Sequence, residues 1–243
     1  MKDIGGKTYW IMGGSAGLGR AVAHELSRKG AKLILSARSE DALHEVAGEC
    51  SGPARVIPCD LADDDSVAQA AEAAGSVDGF IFVAGVYWPM KATEWKGDEA
   101  VKMLDINLTG AVRVLGHVVP GMVERGHGHV VLTGSLSGFR GLPGAIGYGA
   151  SKAGLMNLAE TMRLDLGGTG VEVQLINPGF VKTRLTEKND FKMPFAMEPE
   201  EAAREFVDHM YDDSFAKSFP RAFASIFKTG RSLPFWAWRR IWT

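Results

Sequence analysis

The sequence predicts an α/β fold, a doubly wound parallel sheet with helices on both faces, followed by an aromatic and basic C-terminal extension. Three observations lead there. Short apolar runs alternate with longer runs of helical period along most of the chain, a glycine-rich turn joins the first strand to the first helix, and 243 residues suffice for one large core. Short continuous apolar runs mark strands buried on both faces, and right-handed crossovers then wind such a sheet both ways.

The elements follow in order. Tyr9 to Met12 reads as the first strand, and Gly19 to Lys29 as a helix with Ala21, Val22 and Leu26 turned inward. Lys32 to Leu35 is the second apolar run. Val56 to Pro58, Gly79 to Val83, His129 to Leu132 and Glu172 to Ile176 are further buried strands. Helical patterns separate most of them, over Glu40 to Gly48, Ser66 to Ala74, Asp98 to Glu124 and Ala150 to Leu166. Acidic residues stop after Asp213 and aromatics become dense, so residues 1–213 are read as the main domain and 214–243 as the extension. Within it, Phe215 to Pro220 reads as a short last strand, and Phe219, Phe223, Ile226 and Phe227 recur at helical spacing.

Composition excludes several classes. No apolar run approaches the roughly 20 residues that span a bilayer. Met1 to Lys7 is polar and lacks a signal-peptide pattern, and Cys50 and Cys59 form no metal or redox motif, so a reduced cytoplasmic setting is expected. The six histidines show no ligand spacing, and no metal site is expected. The net charge of −2 hides an asymmetry: Ser214 to Thr243 holds six Lys/Arg and no Asp/Glu, leaving −8 on the rest. Without a nucleic-acid motif, that basic tail points to an anionic membrane surface, at the inner face of a membrane, or to an acidic partner.

Two motifs carry chemistry. Gly13-Gly14-Ser15-Ala16-Gly17-Leu18-Gly19 follows the first strand and opens a helix. Glycines there let the backbone approach a pyrophosphate, and the helix start presents unpaired N–H groups to it. The second strand runs into Ser36-Ala37-Arg38. Ala37 stands where an acid would bind the ribose hydroxyl of NAD, and Arg38 can pair with the 2′-phosphate of NADP, so NADP(H) is the expected cofactor. The second motif is Tyr148 with Lys152, four residues apart on one helix face, with Ser135 upstream. The ammonium is expected to lower the phenol's pKa, making a proton donor and acceptor for an oxygen atom.

Read together, these motifs resemble the short-chain dehydrogenase/reductase family, a Rossmann fold, over roughly residues 5–210. Gly13, Gly17 and Gly19 follow its Gly-x-x-x-Gly-x-Gly turn. Asp60-Leu61 resembles the pair that faces adenine, and Ala84-Gly85 the end of an Asn-Asn-Ala-Gly motif. Asn177-Pro178-Gly179, Val181 and Thr183 match the segment that touches nicotinamide. The resemblance implies a catalytic tetrad of Asn107, Ser135, Tyr148 and Lys152. In it Lys152 also holds the nicotinamide ribose, and Asn107 supports a water that links Lys152 to solvent. Ser15, Leu18 and Ser36 join the implied cofactor contacts. The implied activity is hydride transfer between NADP(H) and a carbonyl or alcohol, and the implied assembly is a homodimer through the helices holding Asn107 and Lys152.

Two departures stand out. Met12 replaces a threonine, and Phe82 and Val83 replace the two asparagines, so an apolar contact is expected in place of a polar tie between central strands. The same loss also favours the alternative of a non-catalytic NADP(H)-binding sensor or scaffold. Arg184 to Met197 is expected to form an apolar lid through Phe191, Met193, Phe195 and Met197, which suits a lipophilic substrate. The terminal Phe235-Trp236-Ala237-Trp238-Arg239-Arg240-Ile241-Trp242 suits a membrane interface, a subunit contact or a pocket wall.

Overall fold

The computed structural model describes residues 3–188 and 193–242. The apolar runs become seven parallel strands: β1 (Thr8–Met12), β2 (Lys32–Ser36), β3 (Ala54–Val56), β4 (Gly79–Phe82), β5 (Gly128–Thr133), β6 (Val171–Pro178) and β7 (Ala216–Phe219). They lie in the order β3-β2-β1-β4-β5-β6-β7, so winding reverses between β1 and β4. Ligand crevices of such sheets open at the carboxyl ends of the strands at that reversal.

Nine α-helices occur among the described residues: α1 (Gly17–Arg28), α2 (Glu40–Glu49), α3 (Asp64–Ala74), α4 (Gly97–Leu104), α5 (Gly110–Arg125), α6 (Ile146–Asp165), α7 (Pro199–Met210), α8 (Arg221–Gly230) and α9 (Phe235–Trp242). Alternate strand residues feed two buried layers, because successive side chains point to opposite faces. Trp10, Met12, Phe80, Phe82, Val130 and Leu132 pack in one layer with α3, α5 and α6. Tyr9, Ile11, Leu33, Leu35, Ile81 and Val131 pack in the other with α1, α2 and α7.

The single helix expected over Asp98 to Glu124 is interrupted by a widened π turn, Asp105–Thr109, which holds Asn107. Such turns insert an extra residue and re-aim a side chain. Here Asn107 bonds to neighbouring segments, and Gly110 lets the backbone close on Leu61, where an added Cβ would lie 2.8 Å from Leu61 Cβ. The whole run Gly97–Arg125 has a mean hydropathy of 1.2 over an 18-residue window, long and apolar enough to cross a membrane by length and composition. This corrects the reading that no run approaches that length. Its inner residues Ala111, Val114, Leu115 and Val118 join the core, and Arg113 pairs with Asp105 at 2.7 Å and with Asp64.

The apolar departure in the central strands also has a location. Met12 and Phe82 are register partners, both fully buried in one layer, while Val83 packs on the opposite face. A backbone bond from Val83 N to Met12 O at 3.0 Å keeps the strands joined. Phe82→Asn should therefore cost about 3–5 kcal/mol in urea unfolding, from lost apolar burial and an amide left without water. Met12→Thr should couple with it by at least about 0.5 kcal/mol in a double-mutant cycle. A cost below about 1 kcal/mol for Phe82→Asn would refute this packing.

Candidate active site

The turn after β1 is pinned to β2, with Gly13 N and Gly14 N donating to Ser36 O at 2.7 and 3.3 Å. Close approach demands its glycines. A Cβ on Gly13 would lie 2.5 Å from Ala84 N, one on Gly17 2.9 Å from Thr183 Cγ2, and one on Gly19 2.0 Å from Gly13 O. Gly13 and Gly17 also have φ of 100° and 54°, where a side chain is strained. No side chain caps α1 at Ala16, and its first turn holds no acid. Beside Ser15 and Leu18, its first N–H groups and positive dipole end are left for an anion.

Arg38 is exposed just past β2 and makes no ion pair among the described residues. Arg20, a cation of α1, is instead taken up by Glu45 and Glu49. A turn that side chains would block, an uncapped helix start and a free guanidinium together fit a dinucleotide carrying a 2′-phosphate. Two residues implied as cofactor contacts have buried side chains. The Ser36 hydroxyl is buried and accepts the Trp10 indole N–H at 2.8 Å, so Ser36 serves through its carbonyl as the anchor of the turn. Leu61 is buried against the core near Gly110, and its carbonyl accepts Arg113 at 3.0 Å. The sequence reading ended the second strand at Leu35, one residue short, and the third at Pro58, two residues past its observed end at Val56. Asp60 stays half-buried and accepts Ala62 N at 3.0 Å.

The other half of the site lies past β4, β5 and β6. Because α6 starts at Ile146 rather than Ala150, Tyr148 and Lys152 both lie on it, one turn apart. Lys152 Nζ stands 5.7 Å from the Tyr148 ring centroid and donates to Thr133 O at 2.8 Å. Ser135 lies close enough to the Tyr148 phenol to favour its ionised form. It also accepts from Ser137 N (3.2 Å) and Ser137 Oγ (2.9 Å), which leaves the Ser135 hydrogen to be given outward. Ser137 was not singled out from sequence, although its spacing of two from Ser135 fits such a turn.

Asn107 is fully buried. Its Oδ1 accepts Val86 N at 2.7 Å, and its Nδ2 donates to Val86 O (2.9 Å) and Ser151 Oγ (3.1 Å). Both amide hydrogens go to protein, and the side chain ties the loop after β4 to α6. Gly85 completes the convergence, since a Cβ there would lie 3.6 Å from Asn107 Oδ1 and 3.7 Å from Lys152 Nζ. Tyr87, also missed from sequence, meets the Tyr148 ring edge-on at 5.1 Å.

Electrostatics depart from expectation. Burial pushes the Tyr148 phenol up to about 12, only partly opposed by Ser135. Burial likewise brings Lys152 down to about 8. Desolvation dominates at the phenol, so the expected lowering is not supplied by the protein groups alone. A phenol in that range is protonated at neutral pH, and the lysine is still charged.

Pro178 at the end of β6 and Val181 beyond it are buried, and Gly179 N donates to Phe219 O at 2.7 Å. Lys182 N to Met197 O (3.0 Å) and Met197 N to Phe180 O (2.9 Å) close the base of the lid. Leu185 packs on the cluster of Tyr87, Met90, Ala100 and Met103, and Lys188 Nζ reaches Tyr87 O at 2.9 Å and the Trp88 ring at 4.9 Å. Of the four lid residues expected to be apolar contacts, Phe191 lies outside the described residues. Met193 is half-buried, Phe195 is exposed, and Met197 is in the core. An apolar cleft of about 660 Å³ lies behind the site, between Phe139, Leu142 and Ala153 on one side and Phe235, Trp238 and Trp242 on the other; none of the tetrad lines it.

With this geometry in place, comparison with known proteins is direct. The family model described as short chain dehydrogenase matches residues 7–193. The chain is 36% identical over 241 residues to an uncharacterized oxidoreductase of Myxococcus xanthus, covering 96% of this chain and 95% of that one. It is 29% identical over 188 residues to a 3-oxoacyl-(acyl-carrier-protein) reductase of Rickettsia prowazekii, covering 77% and 78%. Its fold matches a crystal structure of a short chain dehydrogenase from Burkholderia cenocepacia in complex with NADP, with a TM-score of 0.88 at 21% identity over the full length of both.

Proposed function

The chain belongs to the short-chain dehydrogenase/reductase family and is an oxidoreductase; from that premise we propose that it reduces a lipophilic carbonyl compound with NADPH. One observation carries the reading: a buried Tyr148 phenol near Ser135, with Lys152 Nζ 5.7 Å from its ring, at the sheet end that also holds the glycine turn. Gly13, Gly17, Gly19 and the start of α1 would hold the pyrophosphate, Arg38 the 2′-phosphate, and Lys152 with Thr183 and the Pro178-Gly179 segment the nicotinamide half. When bound, that cofactor supplies a hydride and, once oxidised, a positive charge beside the phenol.

Ser135 and Tyr148 grip the substrate oxygen and fix the carbonyl for attack. Tyr148 gives its proton to that oxygen as negative charge develops there, and Ser135 donates a second hydrogen bond to it. Lys152 stabilises the phenolate that is left. A phenol near 12 suits this direction, since reduction needs the protonated form. The apolar lid residues and the relative named as a 3-oxoacyl reductase support a substrate with an apolar chain. The test is NADPH oxidation across aldehydes and ketones of increasing chain length. Absence of turnover with all of them would leave the non-catalytic alternative standing.

The pH dependence follows from Lys152. Reduction should be level up to about pH 8 and fall above it as the ammonium loses its proton. Lys152→Arg, if active, should extend the plateau, because arginine stays charged. A wild-type plateau reaching well past the range in which Lys152 titrates would remove the lysine from the mechanism.

A homodimer through α4–α5 and α6 is part of the same proposal. Val101, Val112 and Leu164 are exposed on these helices, and apolar side chains gathered on packed helices suit a subunit contact. Val112→Glu with Leu164→Glu should halve the mass seen by light scattering. An unchanged mass would place the interface elsewhere.

A further inference from the structure

The aromatic residues of the C-terminal segment divide into two sets. Phe223, Phe227 and Trp238 are buried and form a ladder, with ring centroids 5.1 Å apart from Phe223 to Phe227 and 5.9 Å from Phe227 to Trp238. Trp238 Nε1 donates to Gly141 O at 2.8 Å, and Arg140 donates to Leu233 O at 2.7 Å while lying 5.4 Å over the Trp238 ring. These contacts anchor one side of α9. Of its other residues, Phe235 at the edge of the cleft, Trp236 and Ile241 are 73%, 71% and 50% exposed, interleaved with exposed Arg239, which also borders the cleft, and Arg240. Core packing therefore accounts for the first set only.

We propose that this surface of α9 docks the protein on an anionic lipid bilayer. Phe235, Trp236 and Ile241 enter the headgroup region, and Arg239 and Arg240 meet lipid phosphates. Amphipathic rings and arginines together are satisfied at such an interface, where the apolar part is buried and the cation stays wet. Charge selects the lipid: from Ser214 to Thr243 there are six cationic residues and no acid, while the rest of the chain repels an anionic surface. A second copy fits this patch poorly. A two-fold contact would bring Arg239 and Arg240 against their own counterparts, and a head-to-tail contact would not close. Phe195, 57% exposed on the lid, stacks on Phe223 at 5.7 Å, so the ladder runs from the lid to α9. Docking through α9 thus holds the lid close to a surface from which a lipophilic carbonyl can be drawn, a consequence that rests on the proposed activity, whereas the docking itself does not.

The experiment is co-sedimentation of the full chain with vesicles of phosphatidylcholine alone or mixed with phosphatidylglycerol. Wild type should pellet with the mixed vesicles and not with phosphatidylcholine, and high salt should release it. Arg239→Glu with Arg240→Glu should weaken partition at least about twentyfold, and Phe235→Ser with Trp236→Ser should leave the protein in the supernatant. Both variants should keep the melting temperature and the turnover of a water-soluble carbonyl. Wild type remaining in solution with both vesicle types would overturn the proposal, as would either variant pelleting like wild type. If charge reversal changes only the solution mass by light scattering, the patch is a protein contact and the proposal fails.

Discussion

Tyr148→Phe is expected to lower kcat for carbonyl reduction by about 10²–10⁴, the range that a positioned general acid contributes. The substitution removes one oxygen and little else. The ring packs edge-on against Tyr87 and on the cluster that Tyr87 forms with Met90, Ala100 and Met103, contacts a phenylalanine reproduces, so the melting temperature should hold. NADPH should bind with nearly unchanged affinity, because the glycine turn, Arg38 and Lys152 are untouched. A fall in kcat with binding intact marks an interaction made in the transition state rather than the ground state. Ser135 remains in place, still held by Ser137, and would orient the substrate without protonating it. The nearest rival acid is Lys152, which burial brings down to about 8. If Tyr148→Phe keeps more than about a tenth of wild-type turnover, proton delivery passes to Lys152 or solvent, and the proposed mechanism fails.

Much of the sheet was legible because parallel strands buried on both faces appear as uninterrupted apolar runs. Helix starts were less legible. Gly147 and Gly149 are poor helix formers, which moved the expected start of α6 to Ala150. Gly147 is needed for another reason: a Cβ there would come 2.8 Å from Met103 Cε and 3.1 Å from Ala100, so α4 packs directly on the α6 backbone. Tertiary contact overrides propensity at that point. The helix α7 went unread although Ala203, Phe206, Val207 and Met210 recur at helical spacing behind Pro199. The π turn around Asn107 has no local signature, since its cause lies in partners at Val86 and Ser151.

The site shows the same division. The resemblance picked out Asn107, Ser135, Tyr148 and Lys152, and the fold brings them together with Gly85. Spacing could not show that Ser36 turns into the core, because a shift of one residue in a strand reverses the face, nor that Leu61, in the turn after β3, is buried near Gly110. Nor could it show the sign of the change at Tyr148. A neighbouring cation and burial act in opposite directions on a phenol, and which prevails depends on packing.

Arg38→Ala is expected to raise the KM for NADPH by about tenfold to a hundredfold, the range for losing a charged hydrogen-bond pair worth about 1.5–3 kcal/mol, while leaving NADH almost unaffected. Selectivity is a difference between two affinities, and this chain has the parts for it in one place. Arg38 is exposed at the end of β2 with no competing carboxylate among the described residues, whereas Arg20 is already paired with Glu45 and Glu49. The loss of Arg20 should therefore disturb the α1–α2 contact more than cofactor choice. Ala37→Asp added to Arg38→Ala should push the preference further toward NADH, since the carboxylate can accept from a ribose hydroxyl and repels a phosphate. Salt offers an independent check, because a guanidinium pairing with an exposed phosphate is screened, so the NADPH advantage should shrink as ionic strength rises. Equal losses for both cofactors in Arg38→Ala, or a wild-type preference for NADH, would show that the guanidinium does not read the 2′-phosphate and that cofactor choice is made elsewhere in the crevice.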